Sequence, residues 1–133
     1  MKSKWIELKK VAEILQEKCP FIKFALLSGL DKYGGLDAHE KLELSVFVDS
    51  DIGTWAAIEK IFPVLTIAIP DVICEVTLLN HVDPGTRNRA MQDICLFIQK
   101  GQEQVFQDFG RRSSLDYRIL CAQNRRKGLI KHD

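Results

Sequence analysis

Apolar positions recur at helical spacing from the start of the chain. Trp5, Leu8, Val11, Ala12 and Leu15 fall on one face with Lys and Glu between them, which predicts a helix over residues 4–18. Ser3 is placed to cap it, and Cys19-Pro20 to end it, because the residue before a proline avoids the helical region. The pattern then changes period. The apolar run Phe24 to Leu27 reads as a short buried strand, and a polar, glycine-bearing loop follows from Ser28 to Glu40. From Lys41 to Val48 apolar and polar residues alternate. Leu42, Leu44, Val46 and Val48 lie on one face of the predicted strand, and Lys41, Glu43, Ser45 and Phe47 on the other.

The second half continues in the same manner. Asp51 or Thr54 starts a short helix through Trp55, Ile58 and Ile61, and Pro63 is expected to end it. Val72 to Leu79 is a third strand, apolar except for Glu75 and Thr77. Asp83-Pro84 is a strong helix start, and the pattern through Met91, Ile94, Cys95 and Ile98 predicts a helix to about Lys100, closed by Gly101. Val105-Phe106 is read as a short edge strand. A last helix is predicted from Arg111 to Lys127, with Gly128 as its stop. The expected class is α+β: a small mixed sheet with helices packed on it, within a single domain over residues 1–133.

The totals narrow the function. With 133 residues the chain is long enough for one sizeable core, and 46% hydrophobic with 28% charged residues is ordinary for a folded protein. A net charge of +1 argues against strong whole-molecule attraction to nucleic acid or an anionic membrane. No apolar run is long enough to cross a bilayer, and Met1-Lys2-Ser3-Lys4-Trp5 leads into a charged amphipathic segment, so a cytoplasmic location is expected. Cys19, Cys74, Cys95 and Cys121 form no CxxC pair, which argues against zinc and for reduced thiols acting as small apolar residues.

Candidate chemistry gathers around the loop. Gly29, just after the first strand, would let backbone amides approach a phosphate, or it serves a plain turn. Lys41 and Glu43 stand side by side on the polar face of the second strand, either as a functional pair or as an edge ion pair of little energetic weight. Glu75 is the least expected residue on packing grounds, because a carboxylate in a central strand needs a partner. His39, His81 and His132 lack metal-ligand spacing. Asp49 and Asp51 read as caps of the following helix. Arg111, Arg112, Arg125, Arg126, Lys127 and Lys131 either oppose the dipole of the last helix or form a docking patch for an acidic partner or RNA.

The order of elements and the placement of these polar residues resemble the minimal nucleotidyltransferases of the polymerase-beta superfamily. In that family a strand ends in Gly-Ser, a variable loop follows, the next strand carries Asp-x-Asp, and a third carboxylate lies on a later strand. Leu27-Ser28-Gly29 takes the Gly-Ser position with the order reversed, Lys41-Leu42-Glu43 takes the Asp-x-Asp position, and Cys74-Glu75-Val76 resembles the third-carboxylate strand. The resemblance implies ATP and Mg as cofactors, with Glu43 and Glu75 as metal ligands and Ser28 and Gly29 against the phosphates. Lys41 departs from the pattern. An ammonium cannot ligate magnesium and competes for the same carboxylates, so an internal Glu43–Lys41–Glu75 ion cluster is expected, with weak metal binding and slow or absent transfer.

The implied role is that of an antitoxin-like protein that neutralises a HEPN-type toxin by binding it. The alternative is an active Mg-dependent nucleotidyltransferase that transfers AMP from ATP to a protein partner. A self-associating, homo-oligomeric regulatory domain is the reading from a different class.

Overall fold

The structure, a computed structural model, describes residues 4–5, 8–29, 35–36, 41–70 and 72–126. Among them the elements run β1 (Lys4–Trp5), α1 (Leu8–Lys18), β2 (Ile22–Ser28), β3 (Gly35–Leu36), β4 (Leu42–Val48), α2 (Thr54–Ala68), β5 (Cys74–Leu78), α3 (Pro84–Ala90), β6 (Ile94–Ile98) and α4 (Glu103–Arg126). A single 3-10 turn, Leu79–His81, leaves β5. The expected α+β class is observed.

The main sheet has the order β5-β4-β2-β6, and β1 pairs with β3 in a separate two-stranded ribbon. β2 is antiparallel to both β4 and β6, while β4 and β5 run parallel. A parallel pair requires a crossover, and α2 supplies it. Both faces of the sheet are covered. On one, Ala25, Leu27, Leu44 and Val46 meet Val11 and Leu15 of α1 and Ala57, Ile61 and Leu65 of α2. On the other, Phe24 and Leu26 pack with Leu79 and Ala90, with Phe47, Phe106 and Phe109 drawn against them. The ring of Phe24 lies 5.3 Å from Phe47, 5.0 Å from Phe106 and 5.4 Å from Phe109, so one aromatic cluster fastens α4 to the sheet. A register shift in β2 between Ile22 and Phe24 puts Ile22 in the first core and Phe24 in the second.

Several expectations are corrected. The first helix begins at Leu8, because Lys4–Trp5 is held in an extended pair with Gly35–Leu36. Pro63 lies inside α2, which continues to Ala68. Gly53, with no side-chain bond, is the N-cap of α2, so neither Asp49 nor Asp51 caps it. The long helix expected from Asp83 to Lys100 is a seven-residue α3 followed by β6, whose residues pair with Phe24 to Leu27. The cap itself is as expected, since the Asp83 carboxylate accepts from the Thr86 amide at 3.3 Å. Val105-Phe106 belongs to α4, which starts eight residues before the expected Arg111. The expected cap Ser3, the stop Gly128, Lys127, Lys131, His39, His132 and most of the loop between Ser28 and Lys41 lie outside the described residues. All four cysteines are free. Cys19 is a buried core residue, whereas Cys95 is exposed.

Candidate functional site

β2 ends at Ser28, and Gly29 follows it in a left-handed backbone conformation. Gly29 has φ +102°, and a Cβ at that position would collide with the carbonyl oxygen of Lys41. A side chain is excluded on both counts, so the glycine is what lets the end of β2 lie this close to the backbone at the start of β4.

Pairing then assembles a row. Ser28 is the register partner of Glu43, and Glu43 that of Glu75, so three adjacent strands each present one polar side chain on the same rung and face. Ser28 Oγ donates to Glu43 Oε2 at 3.3 Å. Lys41 Nζ lies 2.8 Å from Glu75 Oε1. The hydrogen bond to Glu75, the charge of that carboxylate and, more weakly, the charge of Glu43 push the Lys41 pKa up from its ordinary value. Ion pairing of Lys41 is therefore directed mainly at Glu75, while Glu43 bonds to Ser28.

The burial expected for this group is not found. β5 is an edge strand, not a central one. The Lys41 and Glu75 side chains are 56% and 51% exposed, which makes the pair a surface ion pair. Glu75 thus needs no partner to be tolerated. Asn80, in the 3-10 turn after β5, brackets the end of β4. It donates to Val48 O at 2.8 Å and accepts from Val48 N at 3.0 Å.

Sequence reasoning missed Asp93. It immediately precedes β6, two strands from Glu43, and its pKa is pushed up by partial burial and then by the charge of Glu43, against a lowering influence of Arg89. No residue pattern marks it, because the segment around it has the spacing of a helix interior. Once Ile94 is known to pair with Leu27, the placement of Asp93 beside the rung follows.

A two-metal centre needs converging carboxylates with no competing cation. Glu75 already holds an ammonium, and Glu43 accepts from a hydroxyl. Among the described residues no group of three or more His, Cys, Asp or Glu side chains is placed to hold a metal ion. The residues present do not fit a pair of magnesium ions in this arrangement.

The chain aligns with solved structures over 89–90% of its length. A toxin–antitoxin complex containing MntA, with two Asp-to-Glu substitutions, superposes with a TM-score of 0.71 at 14% identity, covering 90% of this chain and 94% of that one. The fold is that of MntA. A toxin–antitoxin structure with AMP-PNP gives a TM-score of 0.68 at 14% identity over 90% and 94% of the two chains. A Shewanella oneidensis complex, a tri-AMPylated HEPN toxin with its MNT antitoxin, gives 0.63 at 13% identity over 89% of each. No protein-family model and no curated protein sequence matches the chain. The MntA likeness is therefore one of architecture. The chemistry of Ser28, Glu43 and Glu75 follows from this chain's own residues. Among the described residues no helix is long and apolar enough to cross a membrane.

Proposed function

We propose that this chain is a nucleotidyltransferase-like domain that acts by binding a HEPN-type toxin, as an antitoxin, with little or no nucleotidyl transfer of its own. The observation that carries the second half is the 2.8 Å contact between Lys41 Nζ and Glu75 Oε1. It neutralises one of the two carboxylates, Glu43 and Glu75, that a magnesium ion would require, and Asp93 supplies no compensating ligand set. The first half is supported by the backbone's likeness to antitoxins solved with HEPN toxins, one of those toxins carrying AMP groups. On this reading Ser28 and Gly29 stand at the position that the resemblance gives to the phosphate loop, with no metal beside it, and ATP binds weakly.

Calorimetric titration of magnesium and ATP into the purified chain tests the reading. Wild type should show no metal-dependent ATP binding in the micromolar range. Lys41→Asp, which removes the competing ammonium and adds a carboxylate, should raise magnesium affinity by about tenfold or more. Micromolar, metal-dependent ATP binding by wild type would assign the chain to active AMP transfer instead. Co-expression with a small helical protein bearing an Arg-x-x-x-x-His motif tests the partner, and failure to co-purify would remove the antitoxin role.

A further inference from the structure

α4 is 24 residues long, yet among its described residues only Ser113 is fully buried. Its first third is fastened by Phe106 and Phe109, and its middle by the Arg87–Asp116 pair at 3.3 Å. The outward side carries exposed aliphatic side chains among its charges. Leu115 and Ile119 are 48% and 46% exposed, and Ala122 continues the same stripe at the next helical step. From Asp108 to Arg126 five arginines face two carboxylates, Asp108 and Asp116. At the near end of the stripe an open cavity of about 700 Å³ is lined by Phe47, Phe109 and Leu115 and by Asp108, Arg111, Arg112 and Arg118. Arg111 is paired with Asp108 at 3.1 Å and Arg112 with Asp116 at 3.6 Å, so the three arginines of the lining outnumber its one carboxylate.

We propose that this face docks an acidic amphipathic helix from a protein partner, whose apolar residues lie along the Leu115–Ile119–Ala122 stripe and whose leading apolar side chain enters the cavity. The assignment rests on the toxin-binding reading above and says which surface does the binding. Two observations select the occupant. Aliphatic side chains at intervals of four and three residues match the knobs of a second helix. The arginine excess along the flanks calls for carboxylates, which a guanidinium holds with two hydrogen bonds. A single-stranded nucleic acid would use the arginines but leave the aliphatic stripe unsatisfied, because bases stack on aromatic rings.

The probe is a fluorescein-labelled peptide of about three heptads with Leu at the seam and Glu on both flanks. A peptide of the same composition in scrambled order and a single-stranded uridine oligomer are the comparisons. Fluorescence anisotropy with the intact chain should show binding of the patterned peptide alone, weakening as salt rises. Ile119→Glu should weaken it by about tenfold or more, as should the pair Arg111→Glu and Arg118→Glu. Lys100→Glu, on the turn before α4, should leave it unchanged. These side chains are exposed, so thermal melts confirm that the variants fold. Equal binding of patterned and scrambled peptides, tighter binding of the RNA, or no effect of Ile119→Glu overturns the proposal. Toxin capture that survives Ile119→Glu keeps the antitoxin reading and removes this surface, whereas peptide binding without toxin capture does the reverse.

Discussion

Gly29 and Asp93 carry the residue-scale consequences. With φ +102° and the Lys41 carbonyl occupying the space a Cβ would need, Gly29→Ala must distort either the turn or the start of β4. It should lose about 1–3 kcal/mol of stability, read from urea unfolding, with the loss traceable to a left-handed position that only glycine adopts freely. Asp93 has the opposite character. Its pKa is raised on folding by burial and by Glu43, so the folded chain prefers the protonated acid. Stability on its account is therefore present below the ordinary carboxylate pKa and falls as pH rises through the raised value. Asp93→Asn should melt at a higher temperature than wild type at pH 7, and the difference should vanish as the pH falls below 3.8, the unperturbed value. Calorimetric scans across that range measure it. Both residues show what sequence reveals unevenly. Gly29 is visible as a glycine after a strand. Asp93 is hidden, since its environment is made by a pairing partner 66 positions away from it, at Leu27, which faces its neighbour Ile94.

At the scale of elements, α1, β2 and β4 are legible because each buries one face and so repeats with its own period. β6 is not. Ile94 to Ile98 is a short apolar run whose period does not distinguish strand from helix, and the helix start at Asp83-Pro84 extends the expected helix past Ala90. For α4, Gly110 stands just before the expected start and has the character of a breaker. In the folded chain it is a point of close approach, where a Cβ would meet the Met91 methyl at 3.1 Å, so its lack of a side chain serves the packing of α4 against the end of α3. The β1–β3 ribbon joins segments about thirty residues apart and leaves no local signature. Pro63 misleads for a different reason. It sits ten residues into α2 and removes one helical hydrogen bond, but the anchoring of Ala57, Ile61 and Leu65 in the core holds the helix through it. Because Pro63 is itself exposed, Pro63→Ala should restore the bond without opening a cavity. The expected gain is about 2 kcal/mol, the helix-interior penalty less the extra freedom of the unfolded chain, and is read from the urea midpoint.

For the whole molecule, the polar rung and the α4 groove use opposite ends of one strand. Glu43 is the second residue of β4 and Phe47 the last but one, about 13 Å apart along the strand. Substitutions at the two places share no partners. The effects of Lys41→Asp and Ile119→Glu on toxin affinity should therefore multiply, to within about twofold, when both are present. A marked departure from that product, measured by calorimetry on the two single variants and the double, would reveal communication through β4. The rung itself has a further consequence. Three strands each deliver one side chain to it, and alternate residues of those same strands form the two cores. Gaining or losing a single amino acid inside any of them would turn the oily side chains outward and destroy the protein before it remodelled the chemistry. Mutational drift at this place is thus confined to exchanging one side group at a time, as if the backbone were a keyboard on which keys are relabelled but never moved.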